Sequence, residues 1–129
     1  ELQQCGWQLR DAHQLTDSYD SYHAYITGSL GEFSVCKNVF VATHNAWFSP
    51  QSAAYLANGR PVVLQENGFS SHLPCGEGLF AVTDVEQAAA ALEEIVGNYK
   101  LHSKRAREIA ETYLDAKQLM GRLLSDIGF

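Results

Sequence analysis

The chain has 129 residues, of which 46% are hydrophobic and 19% charged, and its formal net charge is −6. This composition is typical of a globular protein and excludes the disordered and fibrous classes. The acidic balance argues against a general nucleic-acid binder, because neutralisation of phosphates requires a basic surface. A local basic cluster, Lys100, Lys104, Arg105 and Arg107, is interpreted as a solvated helix face. We therefore interpret residues 1–129 as a single α/β domain with one hydrophobic core.

Neither a membrane span nor an export signal is visible. No apolar run approaches the roughly 20 residues of a transmembrane helix, and the N-terminus lacks a basic region followed by an apolar stretch. The three cysteines, Cys5, Cys36 and Cys75, are widely spaced, which favours reduced thiols over a disulfide framework. We expect a cytoplasmic protein.

The N-terminal third is the least regular in pattern. Residues Cys5–Arg10 predict a short strand, and Asp17 is positioned to cap a helix over Ser18–Ser29. The segment Glu32–Lys37 is a connector without an assigned structure. The β-branched and aromatic run Asn38–Thr43 predicts a buried strand.

A strand–helix–strand unit is predicted next. Ser49 is a capping residue and Pro50 suits the first helical position, while Asn58-Gly59 marks the end of this helix. The apolar run Val62–Gln65 predicts a second buried strand, parallel to Asn38–Thr43.

Strands and helices also alternate in the rest of the chain. A long loop, Glu66–Gly78, precedes a strand at Leu79–Val82, and the spacing of Thr83 and Glu86 predicts a capping box. The helix behind it runs to about Val96, with predicted inward residues Val85, Ala88, Ala89, Leu92 and Ile95. Two further helices follow, at about 99–114 and after Asp115. Together these elements predict a small Rossmann-like parallel sheet of three or four strands with flanking helices and a helical C-terminal tail.

The loop that leads to Ser49 is the first candidate site. Parallel sheets bind ligands at the carboxyl ends of their strands, and a helix begins here with unpaired N–H groups and a positive dipole end. Gln51 and Ser52 supply those N–H groups, and Trp47 and Phe48 offer a stacking wall for a base or sugar. Alternatively, Ser49 only caps the helix and the two aromatic residues only pack.

The loop Glu66–Gly78 is the second candidate. It offers several polar side chains that suit sugar hydroxyls, with Gly68 allowing close approach of the backbone: Glu66, Asn67, Ser70, Ser71 and His72. The sequence contains no metal-binding motif, no phosphate-binding glycine motif and no convincing catalytic dyad. We accordingly predict no catalytic residue, metal ligand or cofactor.

Several short blocks in order resemble the C-terminal part of bacterial GT-B glycosyltransferases: Ser29–Lys37, Trp47–Ser49, Tyr55–Val63, Gly68–Ser70 and Leu73–Leu79. The resemblance runs from about Gly6 to the final helices. It implies that the chain corresponds to the donor-binding one of two Rossmann-like domains that face each other. In that domain the diphosphate of the nucleotide sugar lies near a helix N-terminus. The resemblance implies that Trp47, Phe48 and Ser49 lie by the diphosphate and sugar, and that Glu66–Phe69 lie by the sugar.

The chain also departs from that family. Many family-4-like members carry two glutamates across this turn and helix, whereas Ala46–Tyr55 contains no acidic residue, and Gln51 replaces an arginine of the nearer relatives. The acceptor domain of a complete enzyme is not present in these residues. We therefore expect a truncated, nucleotide-sugar-binding half-domain that is not catalytically competent alone.

An alternative hypothesis is a stand-alone interaction or assembly module that uses the fold without transferase chemistry. Missing first strands would expose a sheet edge or an apolar face, and such surfaces are usually covered by a partner. This favours a homodimer, or a separate N-terminal domain as partner. An independent hydrolase or redox enzyme is disfavoured for want of a catalytic dyad.

Overall fold

A computed structural model describes residues 1–128. Its first half contains a 3-10 helix at Leu2–Cys5, then α1 (Ala12–Leu15), α2 (Tyr19–Gly28), β1 (Glu32–Ser34), α3 (Asn38–Thr43) and α4 (Pro50–Ala57). Its second half contains β2 (Val62–Gln65), a 3-10 turn at Phe69–Ser71, β3 (Leu79–Val82), α5 (Val85–Gly97), α6 (Tyr99–Tyr113) and α7 (Ala116–Asp126).

Within residues 1–128 the strands form one parallel sheet of three strands in the order β1-β2-β3. Glu32 of β1 pairs with Val62 of β2, and Val62 pairs in turn with Leu79 of β3. Parallel neighbours need a long crossover connection, and between β1 and β2 this crossover contains α3 and α4. The predicted α/β class, a small Rossmann-like parallel sheet with flanking helices, is confirmed.

Alternating residues of the strands bury against helices on both faces of the sheet. One face packs against α4 and α6, and its buried cluster includes Val62, Leu64 and Leu79. The opposite face packs against α5, through Val63, Phe80 and Val82. β2 lies between two strands and under helices on both faces, which explains its continuous apolar pattern. The prediction of a buried strand at Val62–Gln65 was therefore correct.

The helix that carries the first candidate site begins as predicted. Ser49 is the N-cap of α4, Pro50 occupies the first turn, and the C-cap is Asn58.

Two other predicted caps were displaced by one residue. Ser18, not Asp17, caps α2 by accepting the N–H of Ser21.

The predicted capping box of Thr83 and Glu86 is also wrong. Asp84 caps α5 by accepting the N–H of Gln87 at 2.8 Å, and the Gln87 side chain accepts the N–H of Thr83 at 3.0 Å. Of the predicted inward residues, Ala88 and Ile95 are buried, together with Ala91, which was not predicted. Val85, Ala89 and Leu92 are exposed, because they lie roughly 40–100° around the helix from Ala88, on the side away from Ala91.

The predicted strand Asn38–Thr43 is helix α3. None of its residues is buried, and Val39 is 57% exposed. Preference for strands reflects packing on a half-buried sheet surface more than the backbone itself. The strand that pairs with β2 at this position is β1, which lies in the segment Glu32–Lys37 that had no assigned structure. Helix α3 therefore lies in the crossover and has no strand partner.

Residues Cys5–Arg10 do not form the predicted strand. The chain leaves the 3-10 helix through Gly6, whose φ is +86°, and Trp7 and Leu9 are both more than half exposed. At the other end, α6 covers the sheet through Ala106, Ile109 and Ala110, whereas α7 has no buried residue. The predicted helical tail is present, and α6 is the part of it that packs on the sheet.

Candidate functional site

A cavity of about 200 Å³ lies beside the carboxyl end of β1, at the start of α4. This is the end of a parallel sheet at which ligands bind. Its lining residues come from β1 and the following segment, from α3, from the loop before α4, from the first turn of α4 and from β2: Glu32, Ser34, Val35, Cys36, Lys37, Phe40, Trp47, Ser49, Gln51, Ser52 and Leu64.

The first turn of α4 presents few free donors to this cavity. Pro50 has no N–H, and the N–H of Gln51 donates to Oγ of Ser49 at 3.1 Å. The N–H of Ser52 is the remaining one without a partner inside the helix. The positive end of the helix dipole adds roughly half an elementary charge at this point.

The wall of the cavity contains a buried carboxylate, Glu32, which is 7% exposed. Its Oε1 accepts hydrogen bonds from Oγ of Ser34 at 2.8 Å and from Nε2 of Gln51 at 3.2 Å. Its Oε2 has no hydrogen-bond partner within residues 1–128, and neither has Oγ of the fully buried Ser52. Buried polar groups normally have partners, so these two enclosed oxygens are acceptors without a donor, on two residues that line the cavity.

The charge of Glu32 also acts on two tyrosines beneath the site. Burial, followed by the charge of Glu32, raises the pKa of Tyr22. Burial also raises the pKa of Tyr55, to which Glu32 contributes in the same direction. Glu32 is itself buried, and charges interact more strongly in such surroundings than in water.

Trp47 forms an exposed side of the cavity. Its side chain is 52% exposed and makes a tilted contact with Phe40, with ring centroids 6.0 Å apart. The loop that carries it is held in an unusual conformation, because His44 and Ala46 both have positive φ. Non-glycine residues adopt such angles rarely, and they cluster at functional sites.

The second predicted loop supports the Trp47 loop from below. Asn67, 1% exposed, donates from Nδ2 to the carbonyl of Trp47 at 3.0 Å and to Sγ of Cys36 at 3.2 Å. Gly68 has φ +107°, and a Cβ there would lie 2.9 Å from the carbonyl oxygen of His44. Only glycine therefore allows the two loops to approach this closely.

The structure divides the predicted site residues into two groups. Trp47, Ser49, Gln51 and Ser52 line the cavity. The others do not line it. The rings of Phe48 and Phe69 pack on each other in the core, with their centroids 5.8 Å apart. The Glu66 side chain accepts the N–H of Gly68, and Asn67 holds the Trp47 loop.

Glu32 was missed by sequence reasoning. It lies in a strand of three residues, too short to be recognised by periodicity. The alternation of polar Glu32 and Ser34 with apolar Phe33 and Val35 was the available signal. It indicates one polar and one apolar face, and the two polar residues line the cavity together with Val35.

A wider cleft of about 570 Å³ lies between the loop before β3 and helix α6, with Cys75, Glu77 and Arg105 in its lining. Cys75 is exposed at the surface of the cleft, and partial desolvation there, together with the charge of Glu66, raises its pKa to about 11. Because the thiolate is the reactive form, Cys75 is a poor nucleophile at neutral pH. Arg105 is paired with Glu77 and Glu108 on the surface of the cleft, so this guanidinium already has carboxylate partners.

Residues 1–128 contain no cluster of three metal-ligating side chains. In the same range no helix has the length and apolar character needed to cross a bilayer.

Comparison of the chain with protein-family models, with curated proteins and with solved structures gives no match. The resemblance to GT-B glycosyltransferases therefore depends on the sequence blocks alone.

Proposed function

We propose that this chain is a nucleotide-sugar-binding half-domain of the glycosyltransferase type, and that the cavity at the start of α4 receives the sugar. The observation that carries the proposal is the unsatisfied polar wall, where Oε2 of Glu32 and Oγ of Ser52 lack partners within residues 1–128. Sugars supply the hydroxyl donors that these oxygens require. The proposal assigns binding, and not transfer, to this domain.

The size of the cavity supports one sugar ring. Sites for drug-sized ligands measure roughly 300–1,000 Å³, whereas this cavity measures about 200 Å³. A whole nucleotide sugar exceeds it, so the nucleotide lies outside the cavity. Trp47 contributes an apolar ring surface to one side of the bound sugar.

The diphosphate is assigned to the rim. Lys37 lies in the lining and is exposed, and the first turn of α4 presents its positive dipole end at the same place. The carboxylate of Glu32 is buried deeper and repels phosphate from the wall. This separation of charges orients the ligand with its sugar inward and its phosphates outward.

Intrinsic tryptophan fluorescence tests the proposal. In a Trp7→Phe background Trp47 is the remaining tryptophan, and titration with UDP- and GDP-sugars should change its emission. Lys37→Ala should weaken binding several-fold, with the loss growing at low salt, because exposed charges are screened by ions. The exposed Lys117 of α7 provides the matched control, Lys117→Ala. Titration calorimetry without heat at millimolar nucleotide sugar would refute the proposal.

A second candidate function, assembly into a homodimer, is favoured by the edge of the sheet. β1 pairs with β2 on one side, and no strand within residues 1–128 pairs with its other side. Beside it lies a mainly apolar groove of about 180 Å³ that includes the exposed Phe33, Val35 and Val85. Exposed strand edges and apolar patches mark sites of association.

We propose that two copies pair their β1 edges about a two-fold axis. Light scattering should give twice the chain mass at micromolar concentration, and Val35→Lys should give the single mass. A single mass for the unmodified protein at every concentration would exclude this assembly. The three free cysteines suit a reducing compartment, so we place the protein in the cytoplasm.

A further inference from the structure

Glu32 is a buried carboxylate without a cationic partner. None of the ion pairs within residues 1–128 includes it, and its two hydrogen bonds come from the neutral groups of Ser34 and Gln51. Both of these bonds go to Oε1, which leaves Oε2 unpartnered at the cavity wall. Burial of a charge is costly unless the charge is paired, so the wall favours a positive partner over a neutral one.

We propose that the cavity recognises a free primary amino group, so that the sugar bound here is an amino sugar. This inference rests on the proposed function and specifies its ligand. An ammonium group offers three donors, and the wall offers two free acceptors, Oε2 of Glu32 and Oγ of Ser52. Both oxygens are enclosed by protein, so a rotation of each side chain must accompany binding, and the terminal torsion of Glu32 is a broad one.

The positive end of α4 opposes this assignment, but more weakly. The dipole corresponds to about half an elementary charge, whereas Glu32 carries a full charge within hydrogen-bonding reach. Part of the dipole end is also used internally, since Ser49 accepts the N–H of Gln51. Lys37 adds a positive charge to the lining at its exposed rim, so the part of the cavity that favours a cation is the buried wall at Glu32.

An N-acetylated amino sugar fits less well than the free amine. Acetylation removes the charge and two of the three donors, and the acetyl group adds volume to a cavity that holds about one ring. The expected order of affinity is therefore glucosamine, then glucose, then N-acetylglucosamine.

NMR titration of the labelled protein with these three free sugars tests the inference without a nucleotide. Glucosamine should bind on the order of tenfold more tightly than glucose, and should shift the amide signals of Ser34, Gln51 and Ser52. Glu32→Gln keeps the shape and should bring the two affinities within about twofold of each other. The matched control is Glu86→Gln, an exposed carboxylate at the start of α5, which should retain the full preference.

Equal binding of glucosamine and glucose would overturn the inference, as would an amine preference that persists in Glu32→Gln. If Glu32→Gln fails to fold, Ser52→Ala and the location of the shifts in the unmodified protein decide the question. Binding of UDP- or GDP-sugars without any amine preference would refute the amino-sugar assignment alone. Failure of every nucleotide sugar to bind would instead refute the proposed function.

Discussion

The side-chain amide of Gln51 donates a hydrogen bond to Oε1 of Glu32 at 3.2 Å. This bond joins the first turn of α4 to the edge strand β1, through two residues that lie 19 positions apart in the chain. An arginine at this position would pair with Glu32 and neutralise its charge. The neutral Gln51 leaves the carboxylate without a cation, and this property makes the wall receptive to one.

Gln51→Ala should destabilise the fold and loosen the site. Hydrogen bonds to a charged group contribute roughly 1.5–3 kcal/mol, and the partial exposure of this one places the expected loss at about 1–2 kcal/mol. Urea denaturation measures it. Gln118→Ala on the exposed surface of α7 is the control and should leave the midpoint nearly unchanged. A Gln51→Ala protein as stable as the control would show that the bond to Glu32 contributes nothing.

Asn67→Ala should release the Trp47 loop. The buried amide of Asn67 donates to the Trp47 carbonyl and to Sγ of Cys36, and its removal leaves that carbonyl unpartnered at a cost of about 1–3 kcal/mol. In the Trp7→Phe background the emission of Trp47 should shift to the red as its ring becomes more solvated. The exposed Asn98 offers the comparison, and Asn98→Ala should not move the emission. An unshifted spectrum for Asn67→Ala would mean that the loop is held by other contacts.

Much of the fold was predictable because its signals are local. Ser49 and Pro50 specify the start of α4, and the run Val62–Gln65 specifies a buried strand wherever it pairs. The assignment of Asn38–Thr43 failed because its β-branched residues fit either a strand or an exposed helix. Pairing with β2 decides between them, and β1 occupies that place.

The site was only half predictable for the same reason. The helix start can be read from adjacent residues, whereas the position of Glu32 depends on the register that aligns it with Val62, 30 residues away. For the Glu66–Phe69 segment, the sequence does not show which contacts the residues make in the fold. Its polar residues resemble a binding loop in the sequence, but the structure uses Asn67 and Gly68 to hold the neighbouring loop.

Cys75 should make stability fall at alkaline pH. Its pKa is raised to about 11, so the folded state holds the proton more tightly than the unfolded state. The resulting stability is present below the ordinary thiol pKa of about 9 and is lost as the pH rises through about 11. In Cys75→Ser the denaturation midpoint should change less with pH between these two values. Cys5→Ser, in the N-terminal segment outside the cleft, is the control, and an equal effect of the two changes would contradict the assignment.

His102 should be required for the close approach of α6 to the turn before β3. Its ring is 1% exposed, and Nδ1 accepts the N–H of Gly78 at 3.2 Å, which places the ring hydrogen on Nε2 of the neutral form. Glu94 lies 3.8 Å from that Nε2, too far for a hydrogen bond. The contact with Gly78 is therefore the bond that fixes the ring. Gly78 itself cannot give way, because it has φ +75° and a Cβ there would lie 2.4 Å from the N of Ala106.

His102→Leu should consequently leave the Gly78 N–H buried without an acceptor, at a cost of about 1–3 kcal/mol in the free energy of unfolding. His102→Asn places an oxygen near the position of Nδ1 and should recover part of that loss, although it removes ring contacts with Phe80. Hydrogen exchange at the Gly78 amide separates the two effects: protection should fall in the leucine variant and persist in the asparagine variant. The exposed His72 supplies the control, His72→Leu, which should alter neither stability nor exchange. Equal protection in the leucine and asparagine variants would show that packing of the ring, and not its acceptor nitrogen, holds this turn against α6.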